Sequence, residues 1–443
     1  MSVHVVSKLD NRRHATVQVP PPTNPLRPSS VRVRTSLLGL TSNNLTYAMG
    51  GSVLGWWDAY PLPDAWPAPY ENQTWGIVPA WGFAVVLETT VPDITPGTTL
   101  FGLWPTSSCP VDLELTTADP QLPGHWQEVS PHRQTLASFY NRYTIVDTKD
   151  RDLDTLAWDA VVYPTWGAGY ILSEYIFPPD SAHPGIHPLG AAGGDWTAED
   201  ADLSKAAFIS LAASTKTARG AAFNILRRPA GSGPAAFLQI TSSPTPLAKA
   251  AEASSPNFPV KVLPYTEIAQ AAPWLERLEA KPERIVIADF GGRDGTLDVL
   301  LETIQSTGLQ SAKVTIIAVG NQQKVRLSPH EYLRVHVALT STIHGQVYTI
   351  PEIMAAQASH ASMKVQMNTS GVQGAALRLG DPKTYFDELR NRWGQWVERR
   401  DIVAPDLRLV WGEGVVGGHG IEGGWDALCR GEVEPDQALV YRM

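Results

Sequence analysis

The stretch SLAASTKTARGAA, Ser210–Ala222, sets Ser214, Thr215, Lys216 and Thr217 in a short turn between two apolar runs. Hydroxyls and an ammonium at such a spot suit a phosphate. The first turn of a helix offers unpaired N–H groups and a partial positive charge, and polar side chains add charge-assisted hydrogen bonds. Ala207–Ala213 ahead of the turn has the pattern of a strand buried on both faces. After it, Ala218, Ala221, Ala222 and Leu226 recur at helical spacing over Thr217–Arg228 until Pro229 and Gly231 stop the run. Strand, tight turn and helix make the first unit of a Rossmann fold. The turn nevertheless contains a single glycine, Gly220, where a dinucleotide fingerprint uses several to let backbone approach pyrophosphate. Either side chains replace the glycines as phosphate ligands, or the turn has lost its nucleotide.

Charge at the far end of the site selects the cofactor. Between Ala206 and Ala251 there is no acidic residue, while Lys216, Arg219, Arg227, Arg228 and Lys249 are basic. NAD-specific folds place an acid at the end of the second strand for the ribose 2′-hydroxyl. Here that end runs Gln239–Ser243, and Thr241 and Ser242 bring hydroxyls instead. NADPH is therefore expected over NADH. Lys216, Ser242 and Tyr265, the last just after the third strand, are the candidate ligands of the 2′-phosphate; a solvated turn lysine and a packed edge aromatic are the competing readings. The segments DFGGRD, Asp289–Asp294, and AVGNQ, Ala318–Gln322, follow the fourth and fifth strands and face the ligand crevice. Gly320 and Asn321 are placed beside the nicotinamide, unless Gly320 only makes a turn.

Elements that would hold these residues follow from texture. Residues 1–165 are rich in proline, glycine and tryptophan, with alternating strands such as Val31–Leu37 and Gly82–Glu88, so this part reads as β-rich. Residues 166–325 alternate apolar strands (Ala207–Ala213, Ala235–Thr241, Lys261–Leu263, Arg284–Asp289, Lys313–Val319) with helical patterns, which predicts a doubly wound parallel sheet. Val335–Leu339, a helix over Lys383–Arg400 and a strand over Gln437–Tyr441 make 326–443 a return segment that completes the first domain. The fold class is α/β, with a β-rich catalytic domain and a parallel-sheet dinucleotide domain.

Composition excludes several partners. The 443-residue chain carries a formal net charge of −9, which disfavours nucleic acid. No run approaches the roughly 20 apolar residues of a membrane helix, and the first residues lack a signal-like stretch. A soluble, cytoplasmic monomer or homodimer is the expectation. The two cysteines, Cys109 and Cys429, cannot build a disulfide framework or a multi-cysteine zinc site.

The order of these parts resembles the medium-chain dehydrogenase/reductase superfamily: a GroES-like catalytic domain, an inserted Rossmann domain and a C-terminal return. VRVRTSLLGLTSNNLTYAMGG, Val31–Gly51, resembles the opening strand and following loop of the zinc-free quinone-oxidoreductase type. IVPAWGFAVVL, Ile77–Leu87, and PGTTLFG, Pro96–Gly102, resemble the superfamily's next strand and turn. Trp425–Val440 resembles its closing helix and last strand. LTSNNLTYA, the Trp-containing insert, PAWGFAVV, SFYNRY and AASTKTARG together look like an uncharacterised domain-of-unknown-function subfamily. Where zinc-dependent members carry a cysteine and a His-Glu pair, this chain has Thr41–Asn44 and Ala80–Phe83, which provide no ligand; the resemblance implies no metal.

That resemblance implies a reacting group. Tyr47 stands where related reductases project a tyrosine toward a substrate carbonyl, and Asn43 or Asn44 would orient substrate or ribose. A phenol can donate to the oxygen on which charge develops, or protonate the α-carbon. The expected activity is NADPH-dependent reduction of an α,β-unsaturated carbonyl in an apolar small molecule, polyketide or terpenoid in kind, against a wall drawn from Trp56, Trp57, Trp66, Trp75, Trp81 and Trp104. A redox-neutral isomerase, cyclase or lyase on the same fold, and a non-catalytic binding protein in which Tyr47 is core, are the alternatives.

Overall fold

The apolar runs of the second half lie side by side as a six-stranded, fully parallel sheet. In chain order its strands are Ala206–Leu211, Ala236–Thr241, Val260–Pro264, Arg284–Phe290, Lys313–Gly320 and Lys364–Gln366, and their spatial order is third, second, first, fourth, fifth, sixth. This is the dinucleotide-fold order, with its reversal between the first and fourth strands. The first two strands are buried along their whole length, as near-continuous apolar sequence requires. Ile209, Leu238 and Ile287 lie in register across three neighbours and form the middle of one core layer. The structure is a computed structural model and describes residues 1–63, 66–180, 183–320, 325–326, 347–348 and 363–443.

The chain divides into two units: Thr165–Gln322 with Ala358–Leu407, and Met1–Pro164 with Gln323–Gln357 and Arg408–Met443. The return segment expected over 326–443 is therefore shared. Its Lys364–Gln366 strand and the helix Pro382–Glu398 belong to the parallel-sheet unit, and Arg408–Met443 belongs to the other. Val335–Leu339 lies outside the described residues.

In the first unit, six antiparallel strands close on themselves. Ser30–Leu40, Pro79–Thr89, Thr99–Pro105, Arg142–Ile145, His125–Glu128 and Val111–Thr117 pair in that order, and the last pairs back with the first through Val31↔Leu113. Closure leaves these strands without a free edge. Gln437–Arg442 adds beside Leu37–Leu40, and Arg408–Glu413 beside it in turn, so the chain's end joins the sheet formed by its beginning.

One local expectation is corrected. The segment after the Ser30–Leu40 strand is a helix, Ser42–Leu54, not a loop. Thr41 caps it: its hydroxyl accepts from the Asn43 amide, while Oδ1 of Asn44 accepts from the Thr41 amide at 2.7 Å. These bonds satisfy N–H groups that a helix start otherwise leaves unpaired.

Candidate functional site

The turn expected to face phosphate begins at Ala212, directly after the first parallel strand. Its φ is +58°, left-handed backbone that an L-residue with a Cβ adopts at a cost of about 1–2 kcal/mol. Several bonds hold it there. The Ala213 amide donates to Ile240 O at 3.0 Å and the Thr215 amide to Ala212 O at 3.0 Å, and the Tyr265 phenol lies near the Ala212 backbone. The helix then runs Lys216–Ile225, with Thr215 as its cap accepting from the Ala218 amide, and its first turn has no acidic residue. Thr215, Lys216 and Thr217 are half-buried, and Ser214 is buried.

Gly220 has a different task from the one a fingerprint glycine suggests. A Cβ there would stand 2.5 Å from the Trp166 carbonyl, so the glycine lets this helix pack against the neighbouring one. Arg219 turns back toward the turn. Its Nε donates to Ser214 O at 2.9 Å, and its two terminal nitrogens donate to Asp406 at 2.9 and 2.6 Å, with the arginine side chain 4% exposed. Arg227 reaches Gln395 and lies over Phe223, and buried Arg228 donates to the carbonyls of Ser173 and Phe177. Three of the five cations that sequence put near the 2′-phosphate, Arg219, Arg227 and Arg228, are thus bound to groups within their own unit.

The other predicted residues spread along the same sheet end. Thr241 is fully buried and its hydroxyl accepts from the Ser243 amide at 3.0 Å, whereas Ser242 is exposed. Tyr265 is half-buried, with its phenol near the Ala212 backbone and the Arg293 guanidinium 4.8 Å from its ring centroid. Burial pushes this phenol up to about 12. At Gly320 a Cβ would lie 2.9 Å from the Phe290 carbonyl, where the register of the fourth and fifth strands shifts, so close backbone approach accounts for the glycine. Asn321 lies outside the described residues. Sequence reasoning named DFGGRD as crevice-facing without separating its members: Asp289 Oδ1 accepts from the Gly291 and Gly292 amides at 3.0 and 2.7 Å, which shapes the loop that carries Arg293.

In the other unit, Tyr47 sits on the Ser42–Leu54 helix beneath an aromatic cluster. Trp81 Nε1 donates to its hydroxyl at 3.1 Å, its ring lies 4.7 Å from that of Trp56, and the Tyr140 ring meets it edge-on at 5.7 Å. Burial pushes the Tyr47 phenol up to about 12, while hydrogen bonds from Trp81, Tyr140 and Asn43 pull the other way, so it keeps its proton at neutral pH. Asn44 is buried and fully engaged: besides capping the helix, its Nδ2 donates to Pro79 O at 2.8 Å. It ties the start of Tyr47's helix to the start of Trp81's strand, which makes it a positioning residue.

Trp56, Trp57 and Trp104 are core, while Trp66, Trp75 and Trp81 are half-buried, and Trp81 meets the half-buried rings of Phe139 and Tyr140. The last two come from SFYNRY, whose Asn141 and Tyr143 meet a buried arginine: Arg133 donates to the Tyr143 hydroxyl at 2.8 Å, lies 4.5 Å over the Tyr60 ring and faces Glu128 at 3.5 Å. Among the described residues, no group of three or more His, Cys, Asp or Glu is placed to hold a metal ion, and no helix is long and apolar enough to cross a membrane.

A closed β-barrel unit joined to a parallel sheet in dinucleotide order is the GroES-like plus Rossmann architecture of the medium-chain dehydrogenase/reductases. The chain belongs to the family described as a protein of unknown function, DUF2855, which matches residues 38–434. No curated protein matches it. Among solved structures it is similar to CurA from Vibrio vulnificus in complex with NADPH, at TM-score 0.52 and 11% identity over 100% of this chain and 99% of that one. It is also similar to a mutant enoyl thioester reductase from Candida tropicalis, at TM-score 0.51 and 9% identity over 100% of both chains. The Etr1p/NADP/crotonyl-CoA complex superposes at TM-score 0.51 and 8% identity over 100% of both. At these identities the likeness speaks for the fold.

Proposed function

We propose that the chain is an NADPH-dependent, zinc-independent reductase of the activated double bond of an α,β-unsaturated carbonyl, acting on an apolar small molecule of polyketide or terpenoid kind. The observation that carries this reading is the carboxyl end of the parallel sheet, where an acid-free helix start and the exposed Ser242 stand where a dinucleotide's phosphates fall in this fold. Support comes also from the similar structures, since CurA was solved with NADPH and Etr1p with NADP and crotonyl-CoA.

The groups present fit a 2′-phosphorylated dinucleotide. Thr215 accepts the Ala218 amide and so keeps its own O–H to donate toward pyrophosphate, with Thr217 and Lys216 beside it. Ser214 and Thr241, both buried, hold the two strand ends in shape. Ser242, Lys216 and Tyr265 take the 2′-phosphate, and Gly320 and Asn321 the nicotinamide side. NADPH, when bound, supplies the hydride. Tyr47, kept protonated by its surroundings, donates to the carbonyl oxygen as charge grows there, or delivers its proton to the α-carbon. The half-buried rings of Trp81, Phe139 and Tyr140 support an apolar substrate. At the zinc-ligand positions Thr41–Asn44 and Ala80–Phe83 carry neither sulfur nor imidazole.

Fluorescence titration with NADPH and NADH tests the reading. NADPH is expected to bind at least tenfold tighter, about 1.4 kcal/mol. A protein that binds neither nucleotide yet converts an enal or enone would be a redox-neutral enzyme, and the reading would fall.

A further inference from the structure

We infer that Arg293 is the specificity-determining cation for the 2′-phosphate, a role that rests on the dinucleotide reading above but belongs to a residue outside its ligand set. Tyr265 follows the third strand, whose Pro264 pairs with Thr241 at the end of the second, and its phenol lies near the backbone of Ala212, which follows the first. The second strand lies between them, and neighbouring strands are about 4.8 Å apart. The Tyr265 ring therefore spans the end of the second strand, Thr241–Ser243, where a ribose 2′ substituent sits in this fold.

Arg293 comes from the loop after the fourth strand and lays its guanidinium over that ring, 4.8 Å from the centroid. Stacking uses the face of a guanidinium and leaves its in-plane N–H groups for an anion, in the fork geometry that suits phosphate. Asp289, the acid at this sheet end, spends Oδ1 on the Gly291 and Gly292 amides and so holds the loop in the shape that presents Arg293. The arginines nearer in sequence are engaged elsewhere: Arg219 with Asp406, Arg227 with Gln395, Arg228 with two carbonyls. Ser242, exposed on the strand end, completes the pocket with a hydroxyl.

Calorimetric titration of the wild-type chain, Arg293→Ala and Arg293→Lys with NADPH, NADH, adenosine 2′,5′-bisphosphate and 5′-AMP tests this. Arg293→Ala is expected to weaken NADPH and the bisphosphate about 10- to 100-fold and to leave NADH and 5′-AMP within about twofold, with Arg293→Lys between. Equal losses for phosphorylated and unphosphorylated ligands, or no loss, would overturn the assignment. A wild-type chain that prefers the bisphosphate through Arg293 but oxidises NADPH with no enone would leave the inference standing and sink the reductase. If the wild type binds none of the four, both are overturned.

Discussion

Deleting one carboxylate far from any chemistry should destabilise the parallel-sheet unit. Asp406 takes two hydrogen bonds from Arg219, at 2.9 and 2.6 Å, while Arg219 Nε holds the Ser214 carbonyl. The arginine side chain is 4% exposed and the aspartate 18%, so Asp406→Ala strands a buried guanidinium with one remaining partner. Breaking such a pair from one side costs about 3–5 kcal/mol, whereas replacing both partners by apolar groups is close to neutral. For a unit of roughly 200 residues that is a fall in Tm of about 6–20 °C for Asp406→Ala. Arg219→Met with Asp406→Ala should recover most of it. Calorimetry on the four members of the cycle gives the coupling directly. In the same variants, NADPH binding is predicted to weaken in the double substitution, where loss of Arg219 frees the Ser214 carbonyl, and to change little in Asp406→Ala, where Arg219 keeps that bond. The reasoning is refuted if Asp406→Ala costs under about 1 kcal/mol, or if the double variant is less stable than the single.

Three further outcomes are expected. Tyr47→Phe keeps the ring in its aromatic nest but removes the proton, so kcat should fall about 10- to 100-fold at unchanged NADPH affinity, read by stopped-flow and titration; a parallel loss of affinity would contradict it. Lys216→Glu puts a negative charge in the first turn of an acid-free helix and should weaken NADPH about tenfold or more with Tm unchanged; equal weakening of an uncharged ligand would count against a phosphate contact. His4 is buried against His14, which bonds Asp426, and burial pushes it down to about 3 from 6.5. Unfolding therefore takes up a proton between those values, so stability falls as pH drops below about 6.5, by about 2 kcal/mol at pH 5; His4→Gln should flatten the urea-midpoint profile over pH 5–7.

The parallel sheet was legible because a strand buried on both faces has to be apolar throughout, and five such runs alternate with helices. Its sixth strand was not. Lys364–Gln366 is three residues long and pairs only with Ile316–Ala318, too short to carry a period. The helix after the Ser30–Leu40 strand was hidden by Asn43, Asn44, Gly50 and Gly51, all turn-forming types. Thr41 with Asn44 three residues on was the available sign, a capping box with asparagine in the usual glutamate place. Charge was legible as composition and misleading as placement. Arg219 finds its carboxylate 187 residues away, a pairing that no local spacing reveals. Arg293 lay in a segment already read as crevice-facing, yet only the strand order 3-2-1-4 brings it over Tyr265.

That strand order also explains how a dinucleotide turn can exist with so few glycines. Left-handed backbone at Ala212 is unfavourable by about 1–2 kcal/mol, and a glycine would remove the strain without help from neighbours. This chain instead holds the turn by other bonds, the Ala213 amide to Ile240, the Thr215 amide to Ala212 O and the Ser214 carbonyl to Arg219, with the Tyr265 phenol near the Ala212 backbone. Each such bond contributes about 0.5–1.5 kcal/mol, so no one of them is sufficient and two or three are. If the phenol helps to hold that backbone, turn shape depends on the same tyrosine proposed for the 2′ position. A ligand that orders Tyr265 and Arg293 then also steadies the Ala212 backbone, and a substitution at Tyr265 disturbs the pyrophosphate end as well as the 2′ end. Tyr265→Phe should accordingly weaken NADH as well as NADPH, unlike Arg293→Ala, since it releases the turn while leaving the cation in place; selective loss of NADPH in both variants would show that the turn does not depend on the phenol.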